Sequence, residues 1–495
     1  MKIKPKTVFF LAAAGLLFSL SRLVNLTLLP VFADEAIYIH WSQIIWHDAT
    51  QRFIPLSDGK PPLFMWLMVP FLKFIKDPLL AGRLLSAGAG LAVLIGLYLL
   101  AKKLFNDQVS RLALVLALFS PFLLFYDRLA LADSLLTALG VWSFWLSYLL
   151  FEKPKKDRAI FLGTIWGLSL LTKPTGAYFI LLTPFFILLC PRKKWGEKIK
   201  KLIVPGGLAS IYSLSIYNIL RLSSGFHMIS RRSKDYLRTP EEIFSQFFDY
   251  FGRTCGIMLG WLNSWLTWPM MVFLLISLLI ALTKKEKKIL LLFFWALMPF
   301  LVQAAIGKII YPRYFLFIAP FLLLIIGWGL FQLGKLWRPN LAWGLLLLLL
   351  IKPLTFDYYL LFKPEKAPLH QAEKEQYLQE WSAGYGIRET ADFLKKEAKK
   401  GKIVVGTEGY FGTLPDGLLI YVGGEENIQV FGMAQPLKDL DSRLRKFSQD
   451  YPTYLLVNNT RLQFEDPALE LIRSFPKPPG PKGQESLLFF RVKGK

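Results

Sequence analysis

An apolar run from Thr7 to Leu29 ends in Phe32-Ala33-Asp34-Glu35-Ala36-Ile37-Tyr38, so two adjacent carboxylates stand where a greasy helix stops. The run follows Lys2, Lys4 and Lys6 and superficially resembles a signal peptide. It lacks a small-residue cleavage site and runs straight into the acidic pair, which predicts a retained membrane-spanning helix. Further along the same loop stands Asp58-Gly59-Lys60-Pro61-Pro62-Leu63.

Blocks like the first recur along the chain. Its 495 residues are 54% hydrophobic, with a mean hydropathy of +0.40 and a formal net charge of +24. A soluble globular protein of this length rarely carries so much apolar content. About eleven blocks, each near the ~20-residue bilayer length, are predicted as helical spans. They are 7–29, 79–101, 109–127, 134–151, 159–172, 175–190, 202–220, 257–282, 289–306, 315–334 and 341–361. The basic clusters Lys102-Lys103, Lys153 to Arg158, Arg192 to Lys201, Lys284 to Lys288 and Lys335 to Arg338 then share the side of the N-terminus. That is the positive-inside pattern, which makes this face cytoplasmic and the chain a multi-pass protein of the cell membrane. Nucleic-acid binding is the weaker account of the charge. Cys190 and Cys255 fall near opposite faces, so no disulfide is expected, and no cysteine or histidine pair has ligand spacing.

An odd count from an inside start places residues 30–78, 221–256 and the tail 362–495 outside. Loop 30–78 is predicted to hold interfacial helices over Ala36–Trp46 and Leu63–Ile75, with Trp41, Trp46 and Trp66 at headgroup level. Loop 221–256 carries Arg231, Arg232, Lys234, Asp235 and Arg238 before a helix start at Thr239-Pro240-Glu241-Glu242. Positive charge on this side needs a local reason, and an anionic ligand is one. The tail reads as an extracytoplasmic α/β domain, with a helix over 387–399 and strands near 402–406, 418–422, 454–458 and 486–492. The division is thus a membrane domain over 1–361 and an α/β domain over 362–495.

Asp34 and Glu35 alone could simply favour a helix dipole. Further charged residues share their side, however. Lys60 precedes two prolines that fix the backbone. Asp127-Arg128 and Asp133 flank spans three and four, and Asp133 sits at an apolar edge where a carboxylate is costly without a partner. Lys173-Pro174 fills one tight turn, and Lys308, Tyr311, Arg313 and Tyr314 another. Singly, each reads as a snorkelling interface residue. Together, several cations and carboxylates on one face of an apolar bundle suit a substrate with an apolar tail and an anionic head.

The order of Asp34-Glu35, Lys60-Pro61-Pro62-Leu63, Arg83, Arg128…Asp133-x3-Thr137, Lys173-Pro174 and Arg313-Tyr314 resembles the GT-C glycosyltransferases. It is similar to bacterial relatives of protein O-mannosyltransferases and of the lipid A aminoarabinose transferase. Trp381-Ser382-Ala383-Gly384-Tyr385-Gly386 is also similar to a segment of some bacterial members. The resemblance implies a GT-C fold and a polyprenyl-phosphate sugar as donor, used on the external face. It implies Asp34 as the catalytic acidic residue, Lys60 near the donor phosphate, and Arg313 with Tyr314 near the same phosphate. Gly59 departs from the aminoarabinose-transferase pattern, where Glu is frequent, so a metal site using that position is not indicated.

The expected chemistry is inverting transfer of a hexosyl or pentosyl group to a hydroxyl or amine of a protein, lipid or glycan acceptor. Asp34 would be the base, with Glu35 orienting it or binding substrate. Lys60, Arg313 and Arg231 or Arg232 would offset the leaving phosphate. Arg83, Arg128, Asp133 and Lys173 are expected to be substrate-binding or structural. The scheme requires no metal. A lipid or glycan transporter is the competing reading, and a non-catalytic assembly protein a third. The one-sided clustering of charge and the lack of a half-to-half repeat count against a transporter.

Overall fold

The computed structural model describes residues 5–494; Lys2 and Lys4 of the basic N-terminus lie outside them. Among the described residues, seven helices are long and apolar enough to cross a membrane, and nine if each of two bent pairs crosses as one. The first is α1 (Pro5–Leu23). Each of the eleven apolar blocks is helical, but two fall short of a span's length. Lys156–Thr172 has 17 residues and opens with Lys156, Asp157 and Arg158. The segment 174–189 breaks into 3-10, α and 3-10 pieces started by Pro174 and Pro184.

Block 257–282 departs most from a straight span. Its helix begins upstream at Pro240, where the expected start signal closes a capping box. The Glu242 N–H donates to Thr239 Oγ1 (3.2 Å) and the Thr239 N–H to Glu242 Oε2 (2.8 Å). The helix runs to Leu266, then turns by 105° into Trp268–Thr283. Pro269 lacks an N–H and cannot continue the preceding turn, and Thr267 takes up the break at φ 69°.

The described chain divides into two compact units. The first comprises Met1–Val24, Thr50–Trp66 and Leu84–Leu361. Its helices lock around stacked aromatics: Trp265, 1% exposed, lies 5.3 Å from Phe122 and 5.4 Å from Phe356. Such pairs add to the gain from burial itself. The interior also holds an ion pair that the sequence reading passed over because it falls inside a span. Arg22 of α1 is fully buried, 3.4 Å from Asp127, and donates to the Leu118 carbonyl (2.6 Å).

The second unit comprises Asn25–Ala49, Leu67–Arg83 and Phe362–Lys495, so it takes in parts of the loop 30–78, including α2 (Ala33–His47). Its sheet has the order β2-β1-β3-β5-β4. The strands are β1 (Ile403–Glu408), β2 (Ile428–Met433), β3 (Thr453–Asn458), β4 (Leu469–Pro476) and β5 (Ser486–Val492). The first three are parallel, and β3, β5 and β4 are antiparallel. Strands β1 and β3 are buried at every position, as a sheet centre covered on both faces requires. The expected strand at 418–422 is instead part of the helix Asp416–Val422, and β2 and β4 were not expected. That helix packs on α2, where Gln43 Nε2 donates to the Ile420 carbonyl (2.9 Å).

Candidate active site

Asp34 stands half-buried in the first turn of α2. Its neighbour Glu35 is fully buried, and Glu35 Oε2 accepts the Phe32 N–H (3.0 Å). Arg83 grips the same carboxylate at both oxygens, Nε to Oε1 at 2.8 Å and Nη2 to Oε2 at 2.7 Å. Its Nη1 donates to the carbonyls of Leu26 (2.9 Å) and Leu29 (3.0 Å), and its Nη2 also to that of Pro30 (3.0 Å). A guanidinium has five N–H donors, and all five are used. Arg83 therefore ties the chain entering α2 to the helix's first turn.

A second tie comes from the segment Trp381–Gly386. The Ala33 N–H donates to the Ser382 carbonyl (3.0 Å) and the Gly384 N–H to the Val31 carbonyl (2.8 Å). Phe32 packs on Tyr377 with ring centroids 4.5 Å apart. A Cβ at Gly384 would stand 2.6 Å from Val31 Cγ1, so only glycine permits the approach. With its carboxylate engaged this way, Glu35 holds the first turn of α2, which also carries Asp34, to the chain that enters it.

The first unit gathers most of the expected cations into one connected set. Asp58 lies 3.4 Å from Lys60 Nζ and 3.1 Å from Arg232 Nε. Arg232 lies over Tyr236 (5.7 Å), whose ring centroid is 6.4 Å from that of Tyr314. Lys173 Nζ (5.2 Å) and the Arg313 guanidinium (5.6 Å) both face the Tyr314 ring. Lys173 also meets Asp133 at 2.6 Å, the partner that this buried carboxylate needed. The turn carrying Tyr311 to Tyr314 is held by the end of the helix His227–Tyr236: Lys308 N–H donates to the Tyr236 carbonyl (2.8 Å) and Arg238 N–H to that of Ile306 (2.8 Å). Arg231 lies on the exposed side of the same helix, outside this set.

Residues 59–217 match the family model of dolichyl-phosphate-mannose-protein mannosyltransferases. No curated protein matches the sequence. By structure the chain is similar to ArnT from Cupriavidus metallidurans in the apo state, with a TM-score of 0.61 at 16% identity over 98% of this chain and 97% of that one. The same protein bound to undecaprenyl phosphate gives 0.58 at 13% identity over 97% of each. AglB, the oligosaccharyltransferase of Archaeoglobus fulgidus, in complex with an inhibitory peptide and a dolichol-phosphate, gives 0.54 at 12% identity over 91% of this chain and 69% of that one. The chain has the GT-C fold.

Within this GT-C frame several expected residues have mechanical duties. Arg128 Nη1 lies 2.8–3.1 Å from the carbonyls of Ser21, Arg22 and Val24 and so caps the C-terminus of α1. Gly59 has φ +66°, and a Cβ there would come 2.6 Å from the Met228 carbonyl and 2.7 Å from Arg232 Cβ. The close approach of the Lys60 turn to Arg232 thus requires glycine at position 59. Among the described residues, no three His, Cys, Asp or Glu side chains gather as a metal site. A cleft of about 840 Å³ opens beside His40, Gln43 and His47, about 120–180° around α2 from Asp34. His40 Nδ1 lies 2.6 Å from Asp416 Oδ1 there, a pair that no spacing in the sequence signals.

Proposed function

We propose that this GT-C protein is a membrane glycosyltransferase that moves a sugar from a polyprenyl-phosphate carrier to an acceptor hydroxyl or amine, on the extracytoplasmic face and with inversion. The observation that carries the reading is the set of Lys60, Arg232, Lys173 and Arg313, linked through Asp58, Tyr236 and Tyr314. Three carboxylates, Asp58, Asp133 and Asp235, offset part of this charge, leaving a net positive site for a phosphate monoester. The lipid phosphates held by ArnT and AglB, and the mannosyltransferase family model, support a polyprenyl-phosphate sugar as the donor.

In the proposed step the acceptor oxygen or nitrogen attacks the anomeric carbon from the face opposite the phosphate. The bond between that carbon and the phosphate oxygen breaks, and its electron pair leaves with the phosphate. Cations near that oxygen stabilise the developing charge more than the ground state. Asp34 takes the acceptor's proton, a contribution typically worth about 10²–10⁴-fold. Arg is the better bidentate grip on phosphate, Lys60 and Lys173 being point charges.

Binding of undecaprenyl phosphate to the purified protein in lipid nanodiscs, followed by native mass spectrometry, tests the donor class. Lys60→Ala and Arg313→Ala should each weaken binding at least tenfold. Equal affinity in wild type and both variants would contradict the assignment.

A further inference from the structure

A carboxylate that the transfer step does not use lies inside the first unit. Asp357 belongs to the helix Pro339–Phe362 and falls within block 341–361, where the sequence reading passed it over. It is 5% exposed, and neither carboxylate oxygen has a hydrogen-bond partner among the described residues. The charged group that acts on it is Arg22 of α1. One ring also ties its neighbourhood to that of Asp127: Trp265 stacks on Phe356 (5.4 Å) and lies 5.8 Å from Tyr126.

Arg22 is already committed elsewhere. Its Nε faces Asp127 Oδ2 at 3.4 Å, and its Nη1 donates to Ser21 Oγ (3.0 Å) and the Leu118 carbonyl (2.6 Å). Asp127 is itself seated: Oδ1 accepts from Ser134 Oγ (2.8 Å), and a Cβ at Gly90 would stand 2.4 Å from Asp127 Cγ. The open edge of the guanidinium is Nη2, which is buried and has no partner among the described residues. A guanidinium keeps its charge in proteins, so one cation serves two carboxylates here. An ionised Asp357 would be a surplus charge without a donor in an apolar interior, and a group so placed is neutralised instead.

We propose that Asp357 is a proton-binding site of the membrane domain, a carboxylic acid at pH 7 whose ionisation would draw Arg22 from Asp127 toward itself. With the proton on, Arg22 pairs with Asp127 as observed. With the proton lost to water, Nη2 becomes the donor that the new carboxylate needs. The faces packed here are aromatic, Trp265 from the helix Pro240–Leu266 and Tyr126 from the helix Pro121–Asp127. On Asp357's own helix Tyr358 and Tyr359 follow it, and Lys352 lies over the Trp268 ring (5.4 Å). A metal cation would need more oxygen ligands than one carboxylate, and among the described residues no three His, Cys, Asp or Glu gather. The proposal does not rest on the glycosyltransferase reading.

The test is infrared spectroscopy of the full chain in lipid at pH 7. Wild type should show the carbonyl stretch of a carboxylic acid, shifted in heavy water, and Asp357→Asn should lose one such group. An unchanged acid band in Asp357→Asn would overturn the site. Thermal unfolding gives a second readout. Asp357→Asn replaces one neutral group by another of the same shape, so it should lower the midpoint less than Asp127→Asn, which strips Arg22 of its counter-charge. An equal or larger loss in Asp357→Asn, including failure to fold, would place the carboxylate in an ion pair and contradict the proposal. Midpoints in sodium and choline chloride at equal ionic strength should agree; a sodium-dependent rise that Asp357→Asn abolishes would replace the proton by a metal ion.

Discussion

Asp34 and Glu35 are adjacent, and burial gives them different work. Glu35 lies in a buried, doubly hydrogen-bonded pair with Arg83, while Asp34 is half-buried. Removing one member of a buried ion pair costs about 3–5 kcal/mol, because the other is left charged and uncompensated. Glu35→Gln should therefore lower the unfolding midpoint sharply, and by more than Asp34→Asn, whose carboxylate is only half-buried. Thermal unfolding in detergent measures both, and equal midpoints would remove Glu35 from the positioning role. The acidic pair was legible because two carboxylates after an apolar run are rare. Its division of labour was not, because Arg83 lies 48 positions away in what reads as a plain span. Arg22 escaped for a similar reason: a lone arginine inside an apolar helix shows no partner until Asp127 is brought beside it.

Among elements, α2 shows how the tail reaches into the first loop. Val31–Ala33 pairs with Ser382–Gly384, so the Trp381–Gly386 segment, visible in the sequence only as a resemblance, is a strap on the helix that bears Asp34. The helices Asp416–Val422 and 418–422 as a strand compete for one short apolar run, which periodicity alone cannot separate. Strand β4 was missed because most of it is exposed and gives no apolar run. Lys477, whose Nζ donates to Asn458 Oδ1 at the end of β3 (2.7 Å), carries a pH signature. Burial pushes the Lys477 ammonium down to about 8, against the pull of Glu485 and Glu408. Its folded pKa is thus below the unfolded value of about 10.4, and between the two the unfolded chain binds more protons, so stability rises with pH. Hydrogen exchange in Thr453–Asn458, corrected for intrinsic rates, should show protection increasing from about pH 8 to pH 10. Lys477→Met should flatten that slope, and an unchanged slope would contradict the assignment.

At the scale of the whole molecule, composition and block length made the membrane class legible, and the order of charged turns pointed to the GT-C fold that the structure bears. The number of spans was less legible, since hydropathy does not report a 105° turn at Thr267 or a proline-broken segment at 174–189. The cationic set drew on turns and helices scattered between Lys60 and Arg313, and only folding joins them through Tyr236 and Tyr314. The central claim is that this assembly consumes a polyprenyl-phosphate sugar with Asp34 as the base. The direct measurement is release of polyprenyl phosphate by purified protein in lipid, from a panel of such donors with a membrane extract as acceptor source. Wild type should release it, and Asp34→Asn should be slower by about 10²-fold or more. Wild-type release by Asp34→Asn, or no release from any donor while labelled lipid crosses the bilayer, would contradict the account.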